Sequence, residues 1–90
     1  MAWKVEFAAA ALRELERLDR QAGRRLLAFL HDRVVARGDP RGVGQALKGS
    51  ELGAFWKYRV GDYRVVAEID DRVLRVLVVR VGNRKDVYRR

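Results

Sequence analysis

The sequence contains no cysteine, no threonine, a single serine (Ser50) and a single histidine (His31). Without cysteine, neither a disulfide framework nor a thiolate metal site is available. A hydrolase built on serine, histidine and aspartate is nearly excluded as well. No apolar run approaches the ~20 residues of a membrane span, and no secretory signal pattern opens the chain. These absences favour a soluble, cytoplasmic protein with no membrane partner, no metal site and no cofactor.

Positive charge is abundant in the chain. Twenty lysines and arginines stand against twelve acidic residues, a formal net charge of +8, and sixteen of the twenty bases are arginine. The guanidinium group offers a planar fork of donors that suits phosphate oxygens. The balance predicts an anionic partner, with nucleic acid first and an acidic protein second. A GC-rich genome would also enrich arginine, so composition alone leaves both explanations open.

The spacing of apolar residues changes once in the N-terminal third, from a strand period to a helix period. Residues 2–7, AWKVEF, alternate apolar and charged side chains, which is typical of a half-buried strand. From Ala8 the apolar residues recur every three or four positions, which predicts an amphipathic helix. We expect a break near Gly23 and then a second helix, with its apolar positions at 26–35 and its end near Gly38.

A glycine-rich stretch, GDPRGVGQALKGSELG at 38–53, separates the helices from the strands. It lacks the GKS or GKT ending of a phosphate-binding P-loop, so we interpret it as a crossover. Three strands follow, at residues 54–60, 63–70 and 73–82. The sequence therefore predicts an α+β fold. We expect one βααβββ domain over residues 1–90, with a mostly antiparallel sheet and two N-terminal helices packed on one face.

The two-residue turn Gly61–Asp62 fixes the register of the hairpin WKYRVGDYRVV. Directly opposed residues point to the same face of a sheet. One face, expected to be covered by the helices, carries Trp56, Tyr58, Val65 and Ala67. The other face is expected to be a basic surface of Lys57, Arg59 and Arg64 with Val66, where Glu68 could neutralise part of the charge. Opposed arginines repel, which favours an anion-binding role over a merely solvated face.

The residues available for catalysis limit the chemistry. His31 lies in the second helix, away from the basic face, and we expect it to be a surface or packing residue. An enzyme built from arginine, lysine and tyrosine suits phosphodiester cleavage, because cations stabilise the charge that develops on the phosphate. RNA supplies its own nucleophile, the 2′-hydroxyl, so no protein nucleophile is needed.

Several segments, taken in order, resemble one known family. They are WKVEF, ALRELERLD, PRGVGQALKG, FWKYRVGDYRVVAEI and LVVRVGNRKDVY, and the most specific pieces are YRVGDYRVV and VGNRKDVY. The chain is similar throughout to the RelE toxins of the RelE/ParE superfamily. This resemblance implies a RelE-like, microbial-RNase-like fold and ribosome-dependent cleavage of mRNA in the ribosomal A site. It also implies a RelB-type antitoxin as partner.

The resemblance also implies roles for individual residues. Lys57 matches an active-site lysine, Arg64 the arginine that contacts the scissile phosphate, Arg84 a second catalytic arginine and Tyr88 a tyrosine near the 2′-hydroxyl. The expected RNA-binding residues are Lys48, Arg59 and Lys85. Phe55 stands where well-studied members have a second active-site lysine, and the segment from Arg84 to Tyr88 is shorter than theirs.

Two other functions remain open at this point. The ParE branch of the superfamily has the same fold and inhibits gyrase without cutting RNA, and a non-toxic nucleic-acid-binding module is the third possibility. The combination of Lys57, Arg64, Arg84 and Tyr88 favours the ribonuclease.

Overall fold

The structure is a computed structural model that describes residues 2–47 and 55–83. Its elements are first one strand, then three helical segments and then further strands. In chain order they are β1 (Lys4–Phe7), α1 (Ala9–Arg17), α2 (Arg20–Phe29), a π-helical segment (Leu30–Val35), β2 (Gln45–Ala46), β3 (Phe55–Val60), β4 (Tyr63–Asp70) and β5 (Arg75–Asn83). No helix in the described ranges is long and apolar enough to cross a membrane.

The two predicted helices are present, but the break between them is not at Gly23. The chain leaves α1 at Leu18, and the Asp19 side chain accepts a hydrogen bond of 2.8 Å from the amide of Ala22. This cap satisfies one of the free N–H groups at the start of α2, so the helix begins there and runs through Gly23. The π-helical segment extends it, and Gly38, with φ +75°, follows as expected near the end.

The sheet has five strands in the order β1-β5-β4-β3-β2. β1 pairs with β5 in parallel, and the other neighbouring strands are antiparallel. The sequence does not predict β2, because a two-residue strand has no hydrophobic periodicity. The last strand begins at Arg75 rather than at residue 73, because Leu74 has a φ of +52° that interrupts the extended backbone.

The core lies between the helices and one face of the sheet, which confirms the predicted α+β layering. The helical layer contributes Ala11, Leu26, Leu30 and Val34. The sheet contributes Tyr58, Val60, Val65, Ala67, Ile69, Val76, Val78 and Val81. Full burial of a valine or leucine side chain contributes about 1.5–3 kcal/mol, so these contacts hold the helices to the sheet. Lys57, Arg59, Arg64 and Val66 of the hairpin lie on the opposite face of the sheet and are not members of this core.

Candidate functional site

The β3–β4 hairpin has the register that the turn predicts. Lys57 pairs with Val66 and Arg59 pairs with Arg64, and the two-residue turn begins at Gly61 with φ +61°. Lys57, Arg59 and Arg64 therefore share the face opposite to the core. The expected grouping of three basic residues on one face is confirmed.

The three cations differ in burial. Arg59 is exposed, Lys57 is half-buried, and Arg64 is only 9 % exposed. The expectation of an exposed basic surface is therefore wrong for Arg64, whose Nη1 donates to the carbonyl of Tyr63 at 3.3 Å. Within residues 2–47 and 55–83 Glu68 forms no ion pair with Arg59 or Arg64.

A cavity of about 370 Å³ lies beside this face. Its lining consists of Phe29, Arg33, Val43, Gly44, Gln45, Lys57, Tyr58, Arg59 and Arg64. Arg33 and Phe29 come from the helical layer and were not identified from the sequence as site residues. Their separation of four positions puts both on one helix face, but only the tertiary structure brings that face to the hairpin.

One wall of the cavity depends on the close approach of Gly44 to β3. Gly44 has φ +81°, and a Cβ there would lie 2.8 Å from Nε1 of Trp56, 2.9 Å from the Tyr58 ring and still closer to the carbonyl oxygen of Lys57. Trp56 Nε1 donates to the carbonyl of Val43 at 2.7 Å. The lack of a side chain at Gly44 thus allows this segment to pack against the hairpin.

The two aromatic residues predicted on the core face differ in burial. Tyr58 is fully buried and its hydroxyl donates to the carbonyl of Pro40 at 2.6 Å. Burial raises the pKa of the Tyr58 phenol, because the phenolate would lose its hydration. Trp56 is half-buried and packs against the edge of the core. The face assignment is confirmed, but full burial holds for Tyr58 only.

Glu14 of α1 fixes the end of β5. Its carboxylate accepts 3.0 Å from Nε of Arg80 and 2.8 Å from the backbone amide of Val81. β1 pairs with β5 only as far as Val78, so the carboxylate satisfies a backbone donor beyond the end of β1. In the sequence, the last residue of this strand, Asn83, directly precedes Arg84, one of the predicted catalytic residues.

Four of the predicted site residues lie outside the described residues: Lys48, Arg84, Lys85 and Tyr88. Phe55, which the sequence resemblance places where a second active-site lysine is expected, is half-buried and pairs with Glu68 across the hairpin. His31 is exposed, makes a 2.9 Å contact with Asp32 and does not line the cavity. Its predicted place on the surface is confirmed.

A separate ion pair fastens the loop before β2 to the β4–β5 turn. Nη1 and Nη2 of Arg41 each lie 2.9 Å from a carboxylate oxygen of Asp71, and these bonds hold the pKa of Asp71 below its ordinary value. Neither residue lines the cavity. The pair therefore supports the loop that carries Gly44 rather than the cations.

The cations around the cavity can do one kind of chemistry well. Fixed guanidinium and ammonium groups at a partly desolvated site stabilise the negative charge that develops on a phosphate during substitution. The arrangement therefore suits phosphate recognition.

Comparison with known proteins identifies the family. The model of the ParE toxin of the type II toxin–antitoxin system parDE matches residues 5–88. The toxin RelG of Mycobacterium tuberculosis is 32 % identical over 90 residues, 100 % of both chains, and the toxin RelE of that organism is 31 % identical, covering 97 % of this chain and 87 % of its own. A crystal structure of the M. tuberculosis toxin–antitoxin complex RelBE2 matches with a TM-score of 0.81 and 29 % identity, covering 96 % of this chain and 95 % of that one. The chain belongs to this family of type II toxins and is a RelE-type toxin of the RelE/ParE superfamily.

Proposed function

We propose that this toxin is an endoribonuclease that cleaves mRNA in the ribosomal A site and so inhibits translation. The observation that carries the proposal is the hairpin register, which brings Lys57, Arg59 and Arg64 to one face beside one cavity. Similarity to curated toxins named RelE and RelG supports it. Since ribosomes translate in the cytoplasm, the proposal puts the active toxin there.

The reaction that we propose uses the RNA as its own nucleophile. The 2′-oxygen forms a bond to phosphorus while the bond from phosphorus to O5′ breaks. The 2′-hydroxyl loses its proton and O5′ gains one, which leaves a 2′,3′-cyclic phosphate and a 5′-hydroxyl. Arg64 neutralises the phosphate, Lys57 and Tyr88 promote loss of the 2′ proton, and Arg84 stabilises or protonates the leaving oxygen.

This set of residues requires neither a metal ion nor a protein nucleophile, because arginine and lysine already supply positive charge. It lacks a strong general acid–base pair, so cleavage of free RNA is expected to be poor. The ribosome would complete the site by bending the mRNA into line for attack, since alignment of reacting atoms can supply much of the barrier reduction. Lys48, Arg59 and Lys85 contribute charge for binding RNA.

The decisive experiment is to induce the protein in bacteria and to map mRNA 5′ ends on translating ribosomes. We expect new ends within A-site codons, absent after induction of Arg64→Ala or Arg84→Ala and present after induction of Arg13→Ala, which alters an exposed arginine of α1 outside the cavity. Toxin that has been treated with EDTA beforehand should make the same cuts in mRNA on purified ribosomes. Growth arrest without A-site cleavage would reject the proposal.

Gyrase inhibition is the second candidate, because the matching family model describes ParE toxins. The discriminating assay is supercoiling by purified gyrase in the presence of the toxin. We expect no inhibition at toxin concentrations that arrest translation. Inhibition that survives Arg64→Ala would favour the ParE function.

A RelB-type antitoxin is the proposed protein partner, since the RelBE2 relative was crystallised as a toxin–antitoxin complex. We expect a small protein encoded beside this one to cover the basic face and to offer carboxylates to Arg59, Arg64 or Arg84. Apolar anchors must contribute, because exposed charge pairs alone are weak and sensitive to salt. Coexpression with the neighbouring gene should give a complex that survives molar salt. A toxin that purifies alone and whose growth arrest the neighbour does not relieve would reject this partner.

A further inference from the structure

We propose that the cavity lined jointly by the helical layer, by residues 43–45 and by the basic residues of the hairpin is a nucleotide subsite. In it, Arg33 binds a backbone phosphate next to the scissile one, and Phe29 contacts the attached base. The inference deepens the proposed function and rests on single-stranded RNA being the substrate. It assigns a role to two residues that lie outside the set implied by family resemblance.

The cations of the cavity come from two separate parts of the fold. Arg33 extends from the π-helical segment, whereas Lys57, Arg59 and Arg64 extend from the hairpin. Arg33 and Arg59 are exposed, and in the described part of the chain neither has a carboxylate within 4.0 Å. Their charge is thus not neutralised by these residues. Cations from two parts of the fold that line one cavity can contact two successive phosphates of a strand.

The remainder of the lining is apolar and aromatic. Phe29 and Val43 are half-buried. The ring of Phe29 meets the buried Tyr58 ring edge-on, with centroids 6.0 Å apart and an interplanar angle of 63°. This contact fixes the orientation of Phe29 from behind. The volume of about 370 Å³ falls within the ~300–1,000 Å³ of small-molecule sites.

The combination of lining residues favours RNA over an acidic peptide. Sites for single-stranded nucleic acid pair a positive groove along the backbone with aromatic side chains against the bases. An acidic side chain offers a carboxylate but no flat apolar group, so a peptide would need a second, apolar side chain to contact Phe29 and Val43. A nucleotide has both the anionic and the flat apolar parts that this cavity can accept.

The test measures binding of the full-length toxin to a fluorescein-labelled 2′-O-methyl RNA tetranucleotide, which cannot be cleaved because its 2′-oxygens are blocked. Arg33→Gln is compared with Arg13→Gln, which removes the same charge from an exposed site outside the cavity. We expect Arg33→Gln to weaken binding about tenfold at low salt. It should also reduce the slope of log K against log salt by about 0.7, the value for one phosphate contact on a single strand. Arg13→Gln should change neither.

A second measurement tests contact with the base by changing the RNA first and then Phe29. The wild-type toxin should bind the tetranucleotide about tenfold more tightly than a fully abasic chain of the same charge, because contact of bases with aromatic rings adds affinity. Phe29→Leu should reduce that preference while leaving the salt slope unchanged.

Three results would overturn the subsite: equal affinities and salt slopes for the two arginine variants, equal binding of the abasic chain, or loss of antitoxin binding alone in Arg33→Gln. Failure of the subsite is distinct from failure of the proposed function. If Arg33→Gln binds RNA normally while the wild type still cuts mRNA on ribosomes, only the subsite is wrong. If Arg33→Gln loses RNA binding while the wild type makes no cut, only the proposed cleavage is wrong.

Discussion

Arg59 and Arg64 lie directly opposite each other across the β3–β4 hairpin. Like charges in this arrangement destabilise a sheet, by roughly 0.2–1 kcal/mol for a cross-strand pair. The cost is not relieved locally, because neither arginine forms an ion pair within residues 2–47 and 55–83. A bound anion would offset the repulsion. Removing one charge of this pair should therefore stabilise the fold and weaken RNA binding.

The first prediction measures the effect of Arg59 on stability and on RNA binding separately. Arg59→Gln should raise the free energy of unfolding by about 0.2–1 kcal/mol, because it removes one of the two opposed charges. It should also weaken binding of single-stranded RNA and reduce the salt slope by about 0.7. Arg59→Lys, which keeps the charge, is the control and should gain no stability. Urea unfolding and fluorescence anisotropy measure the two effects, and a less stable Arg59→Gln would contradict the repulsion argument.

The second prediction concerns Arg64. Arg64→Ala should lower the rate of A-site cleavage by ~10²–10³, the usual loss for one donor to a transition-state oxyanion. The cleavage rate of Arg64→Lys should lie between those of the wild type and Arg64→Ala, because lysine keeps the charge but lacks the planar fork of donors. Since Arg64 is 9 % exposed, circular dichroism and urea unfolding must accompany the rates. A folded Arg64→Ala variant that arrests growth at the wild-type dose would show that this arginine is not catalytic.

The parts of the fold that the sequence predicts well are those governed by local rules. The two-residue turn at Gly61 determines every pairing of the hairpin and therefore the grouping of Lys57, Arg59 and Arg64. Hydrophobic periodicity likewise locates the helices. Glycine is the stronger helix-breaking signal in the sequence and places the break near Gly23, whereas the side-chain cap of Asp19 decides where α2 begins.

The parts that escape prediction depend on contacts between distant segments. β2 exists because Gly44 allows residues 45–46 to reach the edge of β3, and nothing in its two residues signals a strand. Arg33 joins the cavity through the packing of the helical layer on the sheet, and the burial of Arg64 depends on its tertiary surroundings. Periodicity reports which face a residue occupies, but not which distant side chains that face meets.

The third prediction uses two glycines as a matched pair. Both have positive φ, +75° for Gly38 and +81° for Gly44, but a Cβ meets nothing within 4 Å at Gly38 and meets β3 closely at Gly44. Gly38→Ala should cost about 1–2 kcal/mol from backbone strain alone. Gly44→Ala should cost more and should also weaken RNA binding, because the cavity wall has to move. Equal losses of stability in the two variants, measured by urea unfolding, would mean that the close approach of Gly44 is unimportant.

The fourth prediction concerns Tyr58 and alkaline pH. Tyr58→Phe should cost about 1–3 kcal/mol at neutral pH, because the buried carbonyl of Pro40 loses its donor. Burial raises the pKa of Tyr58 in the folded state, so above about pH 10 the unfolded chain releases this proton and the folded protein keeps it. The stability contributed by the neutral phenol is therefore full below pH 10 and declines as the pH rises beyond it.

The measurement is urea unfolding of the wild type and Tyr58→Phe at a series of pH values. The difference in unfolding free energy between the two proteins should be constant from pH 7 to 9 and should narrow above about pH 10. A difference that stays constant to pH 11 would mean that the phenol titrates alike in both states.

The last prediction concerns the carboxylate of Glu14, which holds both Arg80 and the amide of Val81. Glu14→Ala should cost about 1–3 kcal/mol, because a half-buried backbone donor at the end of β5 loses its acceptor. Glu14→Gln should cost less, since its amide oxygen can still accept from Val81. Glu16→Ala is the control, because Glu16 is an exposed residue of the same helix.

The most specific measurement for Glu14 is hydrogen exchange at the Val81 amide. Exchange there should be about tenfold faster in Glu14→Ala than in Glu16→Ala, because the loss is local to the strand end. If Arg84 acts in cleavage as proposed, the same loosening should lower the cleavage rate more in Glu14→Ala than in Glu14→Gln. Unchanged exchange at Val81 would show that the strand end is held by its pairing with β4 alone, and Glu14 would then have no part in supporting the site.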